Sequence, residues 1–551
     1  MRADSPAALR LPLRAIAILL LLLAVPGACG PAPSKTGRGA GEGPYGGRFV
    51  FPLSSEPTTL NFVTGSDLVS DTVGRLVGDG LVDCDERLQI VPRLAESWEF
   101  SPDGRVLTFH LRRGARFHDG LPVTSADVRY TYERVIDPRS RAVGRVDGFL
   151  PVERVETPDE ETVRVTYRFP YSPALAAWEV PILPRHLYER EDFLTARPNR
   201  APVGTGPFRF VGWEAGRRIV LAANEDYWGG RPFLDSIELP IVPSEETRLQ
   251  ALLAGEIDYA TLTPMQWVAH ASDPSFARRF DTIEYPSLFT YYIAWRSDGS
   301  NPFFTDPLVR RAMALALDRE GYVRNVLRGA ARVSASLFHP SVLPPDPAQP
   351  AAPFDPTGAA ELLDRAGWPV DPRTGLRTRR GVPFRFALLI FSGGQDHVQF
   401  SQVAQESLQH LGIEMSIQRL DWPTLWGRLQ KGEFQAALSG FVSSVDPDGV
   451  AYGMLHSSQV KGGQNYAGFN DPQTDAWIEE GRREVDPVQR QLTYRRIERR
   501  ASDLQPYTCL FSPMTRAAMV RRIGGVHPGP RGLIAHYPGL ARLRVLDHEG
   551  P

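Results

Sequence analysis

The pattern of apolar and polar positions from Pro92 to Val135 predicts two strands joined by a tight turn, then a second turn and a helix. The segment SPDG at 101–104 separates two runs in which apolar and polar residues alternate, as in a β-hairpin. Thr124 or Ser125 is a suitable N-cap for a helix that opens at Ala126. This stretch therefore predicts a hairpin followed by an isolated helix.

The rest of the chain mixes short β-rich runs with isolated helices and does not alternate regularly. This pattern indicates an α+β or mixed α/β fold, and 551 residues favour about two to four domains. Helices are predicted at 248–257, 306–331, 355–368, 397–411 and 425–432. Strands are predicted at 46–53, 291–295, 413–418 and 434–440.

The first 28 residues have the pattern of an export signal. Arg2, Arg10 and Arg14 precede an apolar run at 15–25, and small residues follow it. The run is too short to span a bilayer, which takes about 20 residues. We therefore expect residues 1–28 to be a signal peptide and the mature protein to be periplasmic or on the cell surface.

Cys29 follows Gly27 and Ala28 and resembles the acylated cysteine of a lipobox, although Pro26 stands where such sites usually carry Leu. Residues 29–47 are rich in Gly and Pro and have no apolar periodicity, which is typical of a flexible tether. We expect lipidation at Cys29, so that the chain is anchored to a membrane.

The remaining composition narrows the function only slightly. A net charge of −2 gives no overall bias toward nucleic acid, and we expect no nucleic-acid partner. Cys84 and Cys509 are either a disulfide or two buried free thiols, because their separation in the sequence does not reveal their distance in space.

The segment 92–135 resembles the signature region of the family 5 extracellular solute-binding proteins, the peptide, nickel and oligosaccharide receptors of ABC importers. Further segments match the family in the same order, from about Gly46 to Leu510. They are 57–61, 204–208, 306–319, 355–368 and 465–510.

The resemblance implies a type II periplasmic-binding-protein fold of the α/β class, in which two lobes enclose a ligand and an extra domain enlarges a discontinuous first lobe. The implied first lobe comprises 48–84, 203–288 and 499–551, the extra domain 85–202 and the second lobe 289–498. The implied function is capture of a peptide-like or other small polar solute between the lobes and its delivery to an inner-membrane ABC permease. We expect a monomer.

The sharpest candidate site is the loop GFVSSVDPDG at 440–449, which follows an apolar strand. In many relatives this loop carries an aromatic residue and, three positions later, an Asp that pairs with a peptide's α-ammonium. Carried over, Phe441 is the aromatic residue, and Ser444 replaces the Asp. Because Ser cannot neutralise an ammonium, we expect the chain not to capture ordinary peptides by their N-terminus. Asp446 is either a substitute ligand group or a structural turn residue.

Asp79, Tyr292 and Tyr466 are weaker candidates for ligand contacts. Asp79 lies near the family's first cleft contact, although its Asp-Gly turn is also explained by structure alone. Tyr292 and Trp295 should point to opposite faces of a regular strand, so at most one faces the cleft. Tyr466 follows a glycine-rich turn and either reaches the ligand or packs within its loop.

No local motif indicates catalysis or a cofactor. His110 and His118-Asp119 are the best metal candidates, but their spacing matches no known ligand pattern. The chain lacks G-x-S-x-G, H-E-x-x-H and Walker motifs. We therefore expect a binding protein and not an enzyme, with no metal or cofactor. The alternatives are a receptor of the same fold for signalling or chaperoning, and an extracytoplasmic hydrolase.

Overall fold

The computed structural model describes residues 45–65, 67–142 and 145–546. The predicted signal peptide, Cys29 and the tether up to residue 44 lie outside the described residues. Four larger sheets organise the described part of the chain. This mixed α/β arrangement agrees with the fold class predicted above.

Two of these sheets pack on one shared core in the N-terminal half. The N-terminal sheet has the strand order Arg48–Val50, Ser236–Pro240, Arg218–Ala223 and Phe208–Glu214. The meander sheet is antiparallel, in the order Ala95–Phe100, Val106–Leu111, Thr162–Tyr167 and Val152–Glu156. Phe49, Phe109 and Phe208 belong to the shared core, and each is completely buried.

The other two sheets share direct connections along the chain. The crossing sheet has the order Tyr259–Thr261, Phe511–Val520 and Phe280–Pro286, and Ala331–Val333 pairs with its central strand. The five-stranded sheet has the order Glu414–Leu420, Arg385–Phe391, Ala436–Val442, Phe289–Trp295 and Tyr507–Cys509. Two short neighbouring segments, 286–289 and 509–511, connect these two sheets directly, and longer segments connect them through Ala331–Val333.

Short strand pairs and helices complete the structure. The pairs are Val82–Cys84 with Ile90–Pro92, Thr378–Arg379 with Val382–Pro383, and Ile523–Gly524 with Arg544–Val545. The α-helices are Leu68–Val77, Ser125–Ile136, Ala174–Ala177, Arg185–Tyr188, Glu245–Ala254, Pro264–His270, Pro274–Ala277, Pro307–Leu315, Arg319–Asn325, Pro356–Arg365, Gln395–His410, Trp422–Lys431, Pro447–Val450, Pro472–Arg483 and Pro487–Leu504. Helical turns of other types are Pro138–Ser140, Val146–Phe149, Arg197–Asn199, Ala451–Leu455, Ser457–Gln459 and Gly539–Arg542.

The hairpin and the capped helix predicted from the segment 92–135 are both confirmed. The strands on either side of SPDG pair antiparallel, with Phe100 opposite Leu107. The helix is Ser125–Ile136, and its N-cap is Thr124, which exchanges hydrogen bonds with Asp127.

The long helix predicted at 306–331 is wrong in one respect, because it is two helices. The first ends at Leu315 and the second begins at Arg319. Asp318 interrupts them by taking a non-helical conformation, and its side chain accepts a hydrogen bond of 2.7 Å from the Gly321 N–H. An N-cap inside a continuous apolar pattern thus starts a new helix.

The predicted division between residues 498 and 499 falls inside the helix Pro487–Leu504. The strand that follows, Tyr507–Cys509, still pairs with Tyr292–Ala294 of the five-stranded sheet. The chain therefore stays with this sheet until about Leu510, beyond the division predicted from the sequence.

The glycines of the Gly204-Thr205-Gly206 motif allow two backbone segments to touch. A Cβ at Gly204 would lie 2.1 Å from the carbonyl oxygen of Val77, and the N–H of Gly206 donates to that oxygen at 2.8 Å. The motif therefore serves close approach, without the left-handed backbone that a turn glycine often adopts.

Two further findings concern membrane-spanning helices and disulfide bonds. Within the described residues, the helices are all too short or too polar to cross a bilayer. Cys84 and Cys509 are separate free thiols in buried positions, which is the alternative without a disulfide.

Candidate functional site

A cavity of about 370 Å³ lies between two walls that come from distant parts of the sequence. Wall one consists of Arg75 and side chains between residues 145 and 180, next to the meander sheet. Wall two consists of side chains between residues 441 and 482, which follow the strand Ala436–Val442 of the five-stranded sheet. A solute held here would touch both halves of the molecule.

The loop of wall two is held in place by Asp446. Its side chain accepts a hydrogen bond of 2.8 Å from the Asp448 N–H and so caps the short helix Pro447–Val450. Its two carboxylate oxygens also accept from both terminal nitrogens of Arg490, at 2.6 and 2.8 Å. This bidentate pair joins the loop to the helix Pro487–Leu504.

Asp448 points into the protein from the same loop and is almost completely buried. The hydroxyl of Tyr494 donates to one of its oxygens at 3.1 Å, and Nε of Arg482 lies 3.4 Å from the other. Burial raises the pKa of Asp448 to about 7, against the attraction of Arg482. Asp448 therefore titrates near neutral pH.

Arg482 joins the two walls. Its guanidinium carbon lies 3.8 Å from the ring centroid of Tyr452 in wall two and 5.5 Å from that of Tyr171 in wall one. Its carbonyl oxygen accepts a hydrogen bond of 2.9 Å from the Ser172 N–H. The walls are therefore in direct contact beside the cavity.

The arginines of wall one are paired within the protein. Arg75 donates to Asp71 at 2.8 Å and lies 3.4 Å from Asp83, and Arg145 donates to Asp71 at 3.1 Å. Burial alone would raise the pKa of Asp71, but these two arginines lower it to about 2. The Glu179 carboxylate accepts from Arg531 at 2.9 Å.

Two polar groups of the lining stand apart from these pairs. Among the residues that the structure describes, Asp147 is exposed and its carboxylate has no hydrogen bond and no ion pair within 4 Å; partial desolvation by the protein around it raises its pKa. Ser443 is 4% exposed, and its hydroxyl has no hydrogen-bond partner in the described part of the chain. Both groups line the cavity from opposite walls.

Three of the residues singled out in the sequence lie together at this cavity. Phe441, Ser444 and Asp446 all line wall two. Phe441 also packs against Tyr292, with ring centroids 5.9 Å apart. Asp446 has the structural role of a cap and ion-pair partner, which was one of its two predicted roles. Contact of any of them with a ligand stays a prediction.

The other three predicted site residues are not among the side chains that line this cavity. Asp79 is buried, and it accepts hydrogen bonds from Arg93 and, at 2.8 Å, from the indole of Trp228. Tyr292 and Tyr466 are buried in one hydrophobic cluster, whereas Trp295 belongs to the cluster on the opposite face of the sheet. The predicted opposite orientation of Tyr292 and Trp295 is therefore confirmed.

Sequence reasoning missed the residues of wall one and Arg482. Asp147 and Tyr171 carry no motif, and Arg482 lies in the helix Pro472–Arg483, within a segment that was matched to the family without any role for its side chains. The available signal was weak: Arg482 is a charged residue on the buried face of this helix, where it needs a partner.

One group of side chains has metal-ligand chemistry but is already neutralised. Asp83, Cys84 and Glu179 offer ligand atoms within 4.8 Å of one another. Arg531 lies 3.7 Å from Asp83 and 2.9 Å from Glu179, and burial raises the pKa of the Cys84 thiol to about 12. A protonated thiol and paired carboxylates do not favour a cation here.

The histidines considered for metal binding make protein contacts instead. His118 lies 2.9 Å from the carbonyl oxygen of Gly206, and Asp119 pairs with His186 at 2.7 Å. His110 lies 3.9 Å from Glu99 on the meander sheet.

Comparison with known proteins gives one consistent family. A family model described as bacterial extracellular solute-binding proteins, family 5 Middle, matches residues 89–462. Protein XP55 of Streptomyces lividans is 30% identical over 498 residues, which cover 89% of this chain and 87% of XP55.

Solved structures of similar shape bind different ligands. The oligopeptide-binding protein AppA from Bacillus subtilis, in complex with a nonapeptide, matches with a TM-score of 0.77 and 26% identity, over 91% of this chain and 99% of AppA. AgaA from A. tumefaciens R10, in complex with agropinic acid, matches with a TM-score of 0.75 and 28% identity, over 91% and 99%. Similarity at this level does not select one ligand.

Proposed function

The chain belongs to family 5 of the bacterial extracellular solute-binding proteins, and from this premise we propose that it captures a small polar or peptide-like solute in the cavity between wall one and wall two. It serves as the solute-binding component of an ABC importer. The family consists of solute-binding proteins and not of enzymes. We therefore propose that this protein binds and releases the solute without converting it.

The observation that carries this proposal is the position of the cavity. Its lining contains residues between 145 and 180 and residues between 441 and 482. A bound solute therefore contacts two parts of the protein that belong to different sheets. The lining mixes arginines, carboxylates, serines and the aromatic rings of Tyr171, Tyr452 and Phe441. Such a lining suits a polar solute with some apolar surface.

Closure around the solute would use the two short connections between the sheets. The chain runs from the crossing sheet to the five-stranded sheet at 286–289 and returns at 509–511. Segments 286–289 and 509–511 form the proposed hinge, because small changes in their backbone would rotate one half of the molecule against the other. The second lobe of the predicted domain arrangement would move with wall two.

We extend the proposal to the location and partner of the protein. The chain is exported into the periplasm or to the cell surface, is anchored to a membrane through a lipid on Cys29, and works as a monomer. Residues 30–47 act as a tether that lets the closed form reach an ABC permease in the inner membrane. The export pattern and the Gly- and Pro-rich composition of this segment support the proposal.

The test fills the cavity and asks whether a solute is lost. The soluble form that begins at Gly30 is purified from its own host without added ligand, and native mass spectra are recorded for wild type, Ser443→Trp and Ser300→Trp. Ser443 lines the cavity, whereas Ser300 is exposed outside it and serves as the control. We expect a discrete bound mass in wild type and Ser300→Trp that Ser443→Trp lacks. The same mass in all three would contradict the proposed cavity.

A further inference from the structure

Most charges that line the cavity are already paired, and one is not. Three arginines and four carboxylates line it. Arg75 and Arg145 pair with Asp71, Arg482 with Asp448, Asp446 with Arg490 and Glu179 with Arg531. Within the described residues, Asp147 is left without an ion pair.

Asp147 lines the cavity as an exposed side chain, so a solute in the cavity can reach its carboxylate. It belongs to the helical turn Val146–Phe149 of wall one, and its neighbour Gly148 also lines the cavity. The positive charge that acts on it is Arg482 of the opposite wall. Arg482 lies within 3.4 Å of Asp448 and 3.2 Å of Glu479, so its charge is already shared between two other carboxylates.

A second observation comes from wall two. Ser443 is 4% exposed and lines the cavity, but its hydroxyl has no hydrogen-bond partner in the described part of the chain. Buried hydroxyls are normally hydrogen-bonded. The hydroxyl oxygen is covered in this arrangement, and rotation of the Ser443 side chain toward the cavity would let a polar group of a solute satisfy it.

We propose that the solute carries a positively charged nitrogen group that Asp147 neutralises, and that Ser443 of the opposite wall hydrogen-bonds the same solute. The inference rests on the proposed function and specifies the class of solute. In this proposal the positive group pairs with Asp147 of wall one. It does not pair with the loop of wall two, where Ser444 stands at the position that the family resemblance assigns to an acidic residue.

An anionic solute fits the same lining less well. The guanidinium groups of Arg75 and Arg145 are engaged by Asp71, and Arg75 also faces Asp83. An anion would have to displace one of these carboxylates, whereas a cation finds the carboxylate of Asp147 uncommitted.

The test uses three pairs of probes in which one member lacks one or two positively charged nitrogen groups of the other. They are trialanine and N-acetyl-trialanine, L-arginine and L-citrulline, and putrescine and 1,4-butanediol. Calorimetric titrations at up to about 1 mM probe are made on wild type, Asp147→Asn and Asp226→Asn. Asp226 is an exposed carboxylate outside the cavity and serves as the matched control.

We expect at least one probe to bind wild type and its paired probe, which lacks the positively charged nitrogen group, to fail. Asp147→Asn should weaken that binding about tenfold or more, while Asp226→Asn leaves it unchanged. Binding only of neutral probes, binding of none, or equal binding to wild type and Asp147→Asn would overturn the inference.

Ser443→Trp distinguishes failure of the inference from failure of the proposed function. A solute whose binding survives Asp147→Asn but is abolished by Ser443→Trp shows that the cavity is the binding site and that Asp147 is not the neutralising group. A solute that binds equally well to Ser443→Trp overturns the proposed cavity and the inference built on it.

Discussion

The groups that surround Asp448 leave its negative charge incompletely compensated. Arg482 and Arg490 attract the charge, Tyr494 donates a hydrogen bond to it, and Asp446 repels it. Burial outweighs the attraction and raises the pKa to about 7. A wall residue that is half protonated at neutral pH links the stability of the protein to pH.

The first prediction is that Asp448 makes the protein less stable as pH rises from about 4 to 7. In this window the unfolded carboxyl, with an ordinary pKa of 3.8, has lost its proton and the folded one has kept it. The free energy of unfolding therefore falls by up to about 1.4 kcal/mol per pH unit and levels off above pH 7. Asp448→Asn should remove this contribution, which denaturant titrations between pH 5 and 8 would measure. Parallel curves for wild type and variant would contradict the pKa assignment.

The second prediction concerns Ser444, which lines wall two and which the family resemblance places at an ammonium-binding position. A carboxylate at this position would strengthen the binding of an ammonium beyond what Asp147 alone provides. Ser444→Asp should therefore bind trialanine at least about tenfold more tightly than wild type does. Its affinity for N-acetyl-trialanine should not change. If calorimetry finds no gain for trialanine, then Ser444 does not occupy the ammonium position of the family.

At the scale of elements, a buried arginine holds two helices together through backbone carbonyls, and it forms no ion pair within 4 Å among the described residues. Arg310 of the helix Pro307–Leu315 is 4% exposed. Its guanidinium donates to the carbonyl oxygens of Phe304, Thr305, Leu504 and Gln505. Burial lowers its pKa to about 10, which leaves it charged at neutral pH. The side chain thereby satisfies carbonyls at the end of the helix Pro487–Leu504.

The third prediction is that Arg310→Ala destabilises the protein by about 3 kcal/mol or more, because several buried carbonyls lose their donor. The matched control is Arg311→Ala, which changes the exposed neighbour on the same helix and should cost less than about 0.5 kcal/mol. Urea denaturation of the two variants measures the difference. Equal losses would mean that the carbonyl contacts of Arg310 contribute little.

Signals that act within a few residues were sufficient to predict about half of the α-helices that the structure describes. Thr124 and Ser244 cap helices where the sequence indicates, and Gly432 ends one in the left-handed conformation. The break before Arg319 was missed because the apolar pattern continues through it, and only the side-chain bond of Asp318 reveals it.

The candidate site was predictable only on one wall. Phe441, Ser444 and Asp446 belong to one loop, so a single motif indicated them together. Tyr171 and Arg482 meet because two distant parts of the chain pack against each other, and no local pattern specifies that contact. Half of the cavity is therefore a property of tertiary packing.

At the scale of the whole molecule, a fourth prediction concerns attachment to the membrane. If Cys29 is lipidated, Cys29→Ser should be found in the soluble fraction after cell lysis, whereas wild type stays with the membranes. If the segment after Cys29 is the tether that we propose, the solute affinity of the soluble form should match that of the chain purified from Gly30. A wild-type protein that is itself soluble and unmodified by mass spectrometry would contradict the anchor.

The two walls touch through a contact that lies beside the cavity. Ser172 donates to the Arg482 carbonyl at 2.9 Å, and the Arg483 guanidinium carbon lies 5.0 Å from the ring centroid of Phe169. At the tip of the SPDG hairpin, a Cβ on Gly104 would be 3.4 Å from a methyl of Val485. The hairpin tip and the segment around Phe169 and Ser172 therefore pack directly against the helix Pro472–Arg483 and the residues that follow it.

The fifth prediction is that Arg482→Ala favours an open arrangement of the walls. The variant loses the ring contacts to Tyr171 and Tyr452 and leaves Asp448 without its nearest cation. Small-angle X-ray scattering should give a larger radius of gyration for Arg482→Ala than for wild type or for Arg499→Ala, whose side chain is exposed elsewhere. Arg482→Lys keeps the charge without the planar stacking and should lie between them. An unchanged radius in a fully folded Arg482→Ala would mean that other contacts hold the walls together, and that Arg482 serves only the loop of wall two.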